Sequence, residues 1–337
     1  MERVVQPATG NSKKQHGAWN MPEQYHMNVW IAERTNALID AYWAKNEKFF
    51  IWASFFDPHP PYLLPEPWAS MYKPEDMRVP ETAYQDLGDM PLHYRITKIQ
   101  DKVDKAQWQD AAEPFQVHGL GPHRINEKSI KANLAYYYGM ISFMDHYIGK
   151  ILDKLEQSGL LDNTLVIFTT DYGHLLGQHG LTAKGVFDYE DAVRIPFCAA
   201  YKGHIPAGRR TGSLLSLIDL APTLLSYAGL PAGDCMNGVD QKEVWNGKAD
   251  KARDHVIVEN RFQPTKFYVR TYIGERYKIA YDMNSDEGEL FDLESDPGEM
   301  RNLWDDPAYK ELKTLLLLRA LQADMRAEPG MPRIAGA

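Results

Sequence analysis

The sequence predicts an α/β fold, and three observations carry that expectation. FFIWASF (49–55) and TLVIFTT (164–170) are apolar runs too short for helices, so they read as buried strands. Between them, residues 126–158 repeat Leu134, Ile141, Ile148 and Leu155 every seven positions, the mark of a long amphipathic helix. After about residue 250 the pattern changes to short aromatic strands closed by a leucine-rich helix.

Taken in order, Trp30, Ile31, Ala37, Leu38 and Ala41 have helical spacing over 28–45. The strand at 49–55 runs into DPHPPY (57–62), where the prolines impose an irregular, extended loop. Residues 81–125 are polar and proline-broken and read as a surface excursion with some helix. The helix at 126–158, with Tyr137, Met144 and Ile151 filling its apolar face, ends at Gly159, a C-terminal cap. TLVIFTT is apolar enough to be buried on both faces, as in a parallel sheet. A loop (171–190), a strand (195–201) and a helix (216–228) ending at Gly229 follow. HVIVEN, FYVRTYI, RYKIAYD and GELFDL then predict a small antiparallel sheet. A helix over 306–326, with Leu312, Leu315, Leu316, Leu318 and Leu321, covers it. The expected division is a main domain over 1–250 and a C-terminal subdomain over 251–337.

Composition narrows the function. Over 337 residues, 44% apolar and 25% charged are the values of an ordinary globular chain. A net charge of -9 argues against a nucleic-acid partner, which needs a basic stripe to neutralise phosphates. No apolar run reaches the ~18 residues of a membrane span, so no membrane partner is expected, and the first residues hold no apolar signal-peptide core. Cys198 and Cys235, in unrelated settings, suggest neither a disulfide nor a zinc site.

In an open α/β sheet, ligands bind beyond the carboxyl ends of the strands. The first predicted strand delivers Asp57 and His59 there, and the second delivers Asp171, Tyr172 and His174, with His179 and Lys184 further on. An acid after a buried strand can bind a cation, while a histidine and a lysine supply a proton donor and a fixed positive charge. Those groups suit hydrolysis of an anionic ester, in which charge builds on the transferred group and the leaving oxygen. Each has a plainer alternative: Asp171 as a turn cap, His59 as a loop residue, Lys184 as a solvated lysine.

Longer stretches resemble a known family. FFIWASFFDPHPPYLLPEPWASMY, TLVIFTTDYGHLLGQHGLTAKGVFDYEDAVRIPF and GELFDLESDPGEMRNLW are similar, in order, to three segments of the sulfatases. The second matches the family's T-S-D-H/N-G, G-x-H-G, K-G and R-I-P pattern. The resemblance spans about residues 25–325 and implies the three-layer sheet of the alkaline-phosphatase-like superfamily, with helices on both faces, here incomplete at the N-terminus. It makes Asp171 a ligand of a divalent cation, normally calcium. His59 becomes the histidine that contacts sulfate and protonates the leaving alcohol, and Lys184 the lysine that contacts sulfate and bridging oxygens. His179 takes a supporting place in the substrate pocket. The implied partner is a sulfated small molecule or polysaccharide, and the family's usual periplasmic or secreted location is implied with it.

Two departures matter. Tyr172 stands where the family has His or Asn, so it either hydrogen-bonds substrate or leaves the metal weakly held. Residues 1–337 also contain no C/S-x-P-x-R motif, whose Cys or Ser becomes the formylglycine nucleophile, and neither cysteine fits it. The expectation is a C-terminal sulfatase part that is inactive alone and completed by an N-terminal half. Phosphoester or phosphonate hydrolysis on the same scaffold, and a non-catalytic remnant, are the alternatives. His93, Arg95, His118, His123, Arg124, Arg261, Lys266 and Arg270 are candidates for shaping specificity, with solvated surface charge as the plainer reading of each.

Overall fold

The computed structural model describes residues 16–98, 126–233, 235–261 and 267–327. They form two compact units, one from the stretches up to residue 80 and 126–164, the other from 81–98 and everything after 164. The predicted division at residue 250 follows a change in sequence character, whereas compactness divides the chain elsewhere. No helix among the described residues is long and apolar enough to cross a membrane.

In the first unit, β1 (His16–Ala18) runs parallel to β2 (Tyr62–Leu64) beside two helices. The first helix, Met27–Ala44, buries Val29, Ile31, Ala32 and Ile39 and leaves Trp30 61% exposed, so Trp30 is not on its packed face. The long helix, Glu127–Gln157, starts where the Asn126 side chain accepts from Ser129 N at 3.0 Å and stops before Gly159 at φ 69°, the cap its sequence predicts. Its buried stripe is Ile130, Leu134, Met140, Phe143, Tyr147 and Leu155. Of the seven-residue series, Leu134 and Leu155 lie on that stripe, whereas Ile141 is 39% exposed and Ile148 half-buried. A side chain at Gly139 would lie 2.6 Å from Trp68 O, so glycine lets the helix approach the chain after β2.

The expected strand at 49–55 is corrected: residues 47–56 join no ladder. The backbone is strand-like in one respect, since exposure alternates, with Phe50, Trp52 and Phe56 at 72, 69 and 61%. An apolar run predicts the capacity to pair, and no described strand pairs with it.

The second unit contains β3 (Val166–Thr169), paired antiparallel with β6 (Phe197–Ala200) in a two-stranded sheet. The parallel pairing and two-sided burial expected for TLVIFTT are therefore corrected. Ile167 and Phe197 pack against Leu220, Val244 and Trp245, while Phe168, opposite Cys198, is 41% exposed. Between them, β4 (Leu175–Leu176) and β5 (Thr182–Ala183) make a minimal hairpin inside the predicted loop. The helix Leu220–Ala228 ends at Gly229, as expected.

The C-terminal sheet runs β7 (Val256–Asn260), β8 (Val269–Ile273), β9 (Tyr277–Asp282) and β10 (Gly288–Asp292), all antiparallel neighbours in sequence order. Leu316, Ala320 and Ala323 of the helix Lys310–Ala327 meet Tyr272, Ile279 and Leu290 on one face. The other face is covered too: Val269, Ala280 and Phe291 join Leu175, Leu181, Val186, Phe187 and Tyr189 in one core. The sheet thus buries both faces, and the segment lying on the second is the loop that carries the predicted chemistry.

Candidate active site

Asp57 and His59 belong to the first unit. Asp57 Oδ2 accepts from Asn28 Nδ2 at 2.8 Å, and burial pushes its carboxyl up to about 7 against the pull of that hydrogen bond. His59 is half-buried, with Nδ1 2.7 Å from Pro60 O and its ring 4.9 Å from that of Phe56. Because a carbonyl only accepts, Nδ1 carries a proton, which leaves Nε2 as the nitrogen able to exchange a proton with a ligand.

Asp171, Tyr172, His179 and Lys184 belong to the second unit, where Asp171 follows β3 after Thr169 and Thr170. A side chain at Gly173 would come within 2.2 Å of Asp191 O, and Gly173 N donates to Ala192 O at 2.7 Å, so only glycine allows this turn. Asp171 is exposed, and its Oδ1 accepts from Tyr172 N at 3.0 Å, as a turn-capping acid does. Lys184 donates to Tyr172 Oη and sits 3.7 Å from the centre of that ring, a cation–π contact as well as a hydrogen bond. The structure therefore brings Lys184 onto Tyr172, the residue that follows Asp171.

His179, given a supporting place in the pocket by the resemblance, is buried inside the loop. It is 1% exposed at φ 53°, stacks on Tyr189 with centroids 3.4 Å apart, and holds Nδ1 2.6 Å from Gln85 Oε1. Burial, followed by the Lys278 charge, drops its pKa to about 3, so the ring is neutral and the 3.8 Å approach to Asp191 is no salt bridge. A ring with no exposed edge holds the loop together from within.

Calcium takes about 6–8 oxygen ligands. Among the described residues no group of three or more His, Cys, Asp or Glu side chains could hold a metal ion, and Asp171 is a single carboxylate. The described residues thus do not make up a calcium site by themselves.

The specificity candidates divide. His93 is corrected to a core residue, 2% exposed among Tyr94, Phe187 and Phe267 with Nε2 3.5 Å from Glu289. Arg95 is bound to Glu287 at 2.7 Å, and Arg270 to Asp324 at 2.6 Å and Glu259 at 3.3 Å. Arg261 lies over the Tyr268 ring at 5.1 Å. His118, His123, Arg124 and Lys266 lie outside the described residues. Sequence reasoning missed Gln85, which holds the loop from beneath, and Asp188, the loop carboxylate that Thr271 holds. Asp188 does lie within the KGVFDYEDAVRIPF stretch that resembles the family, but nothing in its spacing separates it from Asp191.

The family profile described as Sulfatase matches residues 7–230, and that of N-sulphoglucosamine sulphohydrolase, C-terminal, matches 177–326. An arylsulfatase of Clostridium perfringens is 30% identical over 286 residues, covering 81% of this chain and 54% of that protein. An N-acetylglucosamine-6-O-sulfatase of Bacteroides thetaiotaomicron is 32% identical over 158 residues, 47% of this chain and 28% of that one. The chain spans about half the length of the Clostridium protein and less of others, 39 and 37% for two more relatives. Among solved structures, a protein in complex with its substrate D-glucosamine-2-N,6-O-disulfate superposes with a TM-score of 0.68 at 18% identity, over 92% of this chain and 72% of that one. A phosphonate monoester hydrolase of Silicibacter pomeroyi gives 0.73 at 20%, over 93 and 62%. At such identities the likeness establishes the fold: alkaline-phosphatase-like α/β with a C-terminal antiparallel sheet. With the family profile covering well over half of its residues, the chain belongs to the sulfatase family.

Proposed function

We propose that this chain is the C-terminal part of a sulfuric ester hydrolase acting on sulfated carbohydrate. The observation that carries the reading is the loop after β3, where Lys184 and Tyr172 meet beside Asp171 within the stretch matched by the sulfatase profile. Lys184 has three N–H donors and gives one to Tyr172, so two remain for the oxygens of a sulfate ester. Its charge stabilises the leaving oxygen as the bond to sulfur breaks, and His59, through Nε2, protonates the departing alcohol. Tyr172 orients the ammonium in place of the His or Asn of the family pattern. A divalent cation, calcium by the family's habit, would find one ligand in Asp171.

The nucleophile, a formylglycine, and the remaining cation ligands come in this proposal from an N-terminal half carrying C/S-x-P-x-R. The exposed row of Phe50, Trp52 and Phe56 supports a place for added strands, since an apolar edge of this kind invites pairing. Alone, the chain is expected to be inactive. The carbohydrate class draws support from relatives that bear glucosamine-sulfate names or were solved with such a ligand. The phosphonate hydrolases share the fold, and fold alone does not decide the chemistry.

The test joins the chain to such an N-terminal half and measures release from 4-nitrophenyl sulfate, N-acetylglucosamine-6-sulfate and a phenylphosphonate monoester. Sulfate release that falls about 10²–10⁴-fold in Lys184→Ala or His59→Ala bears out the assignment. A preference for the phosphonate ester favours the neighbouring chemistry, and no turnover of any ester favours a remnant.

A further inference from the structure

The loop carrying Lys184 rests on the C-terminal sheet. Asn260 on β7 donates to Gly185 O at 2.5 Å, Thr271 on β8 to Asp188 Oδ2 at 2.6 Å, and Lys278 on β9 to Asp188 O at 2.7 Å. Three adjacent strands each place one donor under residues 185–188, immediately after Lys184. Lys278 is the costly member. It is 1% exposed and pairs with Glu299, also 1% exposed, where well-packed apolar residues would stabilise the sheet as well or better.

What the pair holds follows from its other bonds. Glu299 Oε2 accepts from Glu190 N at 2.6 Å, and Glu299 O accepts from Gln85 Nε2 at 2.9 Å. Gln85 Oε1 in turn meets His179 Nδ1 at 2.6 Å and Tyr189 Oη at 3.1 Å. One connected set of bonds therefore runs from Lys278 to both flanks of the loop, at 179 and at 188–190. Glu299 takes φ 53°, a backbone conformation a glutamate adopts only where its surroundings impose it.

We infer that Lys278 is a positioning residue for Lys184: clamped between Glu299 and Asp188 O, it fixes loop 178–190 to the sheet so that the Lys184 ammonium is presented beside Asp171. Lys278 itself does not touch substrate. The clamp stands on geometry alone, and only the ligand it serves rests on the sulfatase reading.

Hydrogen exchange on the full chain, read peptide by peptide, tests it. Lys278→Met is expected to speed exchange across 176–190 about tenfold or more, with β10 and the helix Lys310–Ala327 little changed. Lys278→Arg restores most of the protection. Thr271→Val, nearly isosteric, loosens the same loop by a smaller factor and keeps the idea testable if Lys278→Met does not fold. Unchanged loop exchange, or equal acceleration throughout the unit, overturns the inference. In the enzyme joined to its N-terminal half, Lys278→Met lowers kcat for 4-nitrophenyl sulfate about tenfold alone and adds little in a Lys184→Ala background, whereas a merely structural role gives additive losses. An inactive parent enzyme sinks the sulfatase reading and leaves the exchange result standing.

Discussion

The segment 49–56 and the strand β8 are both aromatic and β-branched, and both read as strands, yet they end in opposite environments. Phe50, Trp52 and Phe56 stand 72, 69 and 61% exposed with no ladder, whereas Val269, Thr271, Tyr272 and Ile273 are 1, 0, 6 and 7% exposed between two partners. Intrinsic β-propensity is therefore not what separates them. A strand is stabilised by cross-strand neighbours and by cover on each face, and neither is written in its own residues. β8 has β7 and β9 beside it, the helix Lys310–Ala327 on one face and the Lys184 loop on the other.

The largest expected difference follows directly. Leu290→Ala, at 0% exposure between Ile279 and the C-terminal helix, is expected to cost about 2–5 kcal/mol in urea unfolding. Trp52→Ser, on the exposed row, is expected to stay within about 0.5 kcal/mol and to reduce self-association. Equal costs for the two would mean that the row is covered in solution, and the comparison would break.

The loop on the second face adds a pH signature. His179 is neutral when folded, with its pKa held near 3, and titrates near 6.5 when unfolded. Between those values the unfolded chain binds a proton that the folded one refuses, so stability falls as pH drops from about 6.5 towards 3 and is fully present above that window. The slope from this one group is at most about 1.4 kcal/mol per pH unit. Glu299 and Asp57, raised to about 7 by burial, act in the opposite sense: their folded carboxyls keep protons that unfolded ones lose near 4, so that contribution falls as pH rises from about 4 to 7. Comparing His179→Gln with the parent isolates the histidine. The variant should lose less stability on acidification, and parallel curves would show that residue 179 is charged or exposed in the folded chain.

Much of the architecture was legible because it is local. Gly159 and Gly229 cap helices where the sequence places them, and the four C-terminal strands and their covering helix fall where alternation and leucines predict. The pairing of TLVIFTT was not legible, since a short apolar run is equally compatible with parallel and antiparallel neighbours. At the candidate site, the resemblance placed Asp171, Tyr172 and Lys184 on one loop; in the structure Lys184 donates to Tyr172 Oη, and Tyr172 N donates to Asp171 Oδ1. The platform beneath the loop was hidden. Lys278 sits in RYKIAYD as a lysine that alternation alone would send to solvent, and its burial depends on Glu299, 21 positions further along the chain and in another segment.

β3 and β6 stand between the two extremes, and the smallest energetic effect there gives the sharpest test. Ile167 faces the Trp245 cluster, while Phe168 and its cross-strand partner Cys198 lie on the open side. Phe168→Thr is expected to change stability by less than about 0.5 kcal/mol, because an exposed β-branched polar residue suits a strand as well as phenylalanine does. Ile167→Thr should cost more, roughly 1–3 kcal/mol, by burying a hydroxyl in an apolar cluster. Cys198, being exposed, should react promptly with a maleimide in the chain alone, as should Cys235 in its loop. Joined to the proposed N-terminal half, Cys198 should be protected and Cys235 should not, because the added half would cover the open face of the sheet and leave the loop alone. Prompt labelling of both in an active joined enzyme would show that this face stays open and that the added half does not cover it.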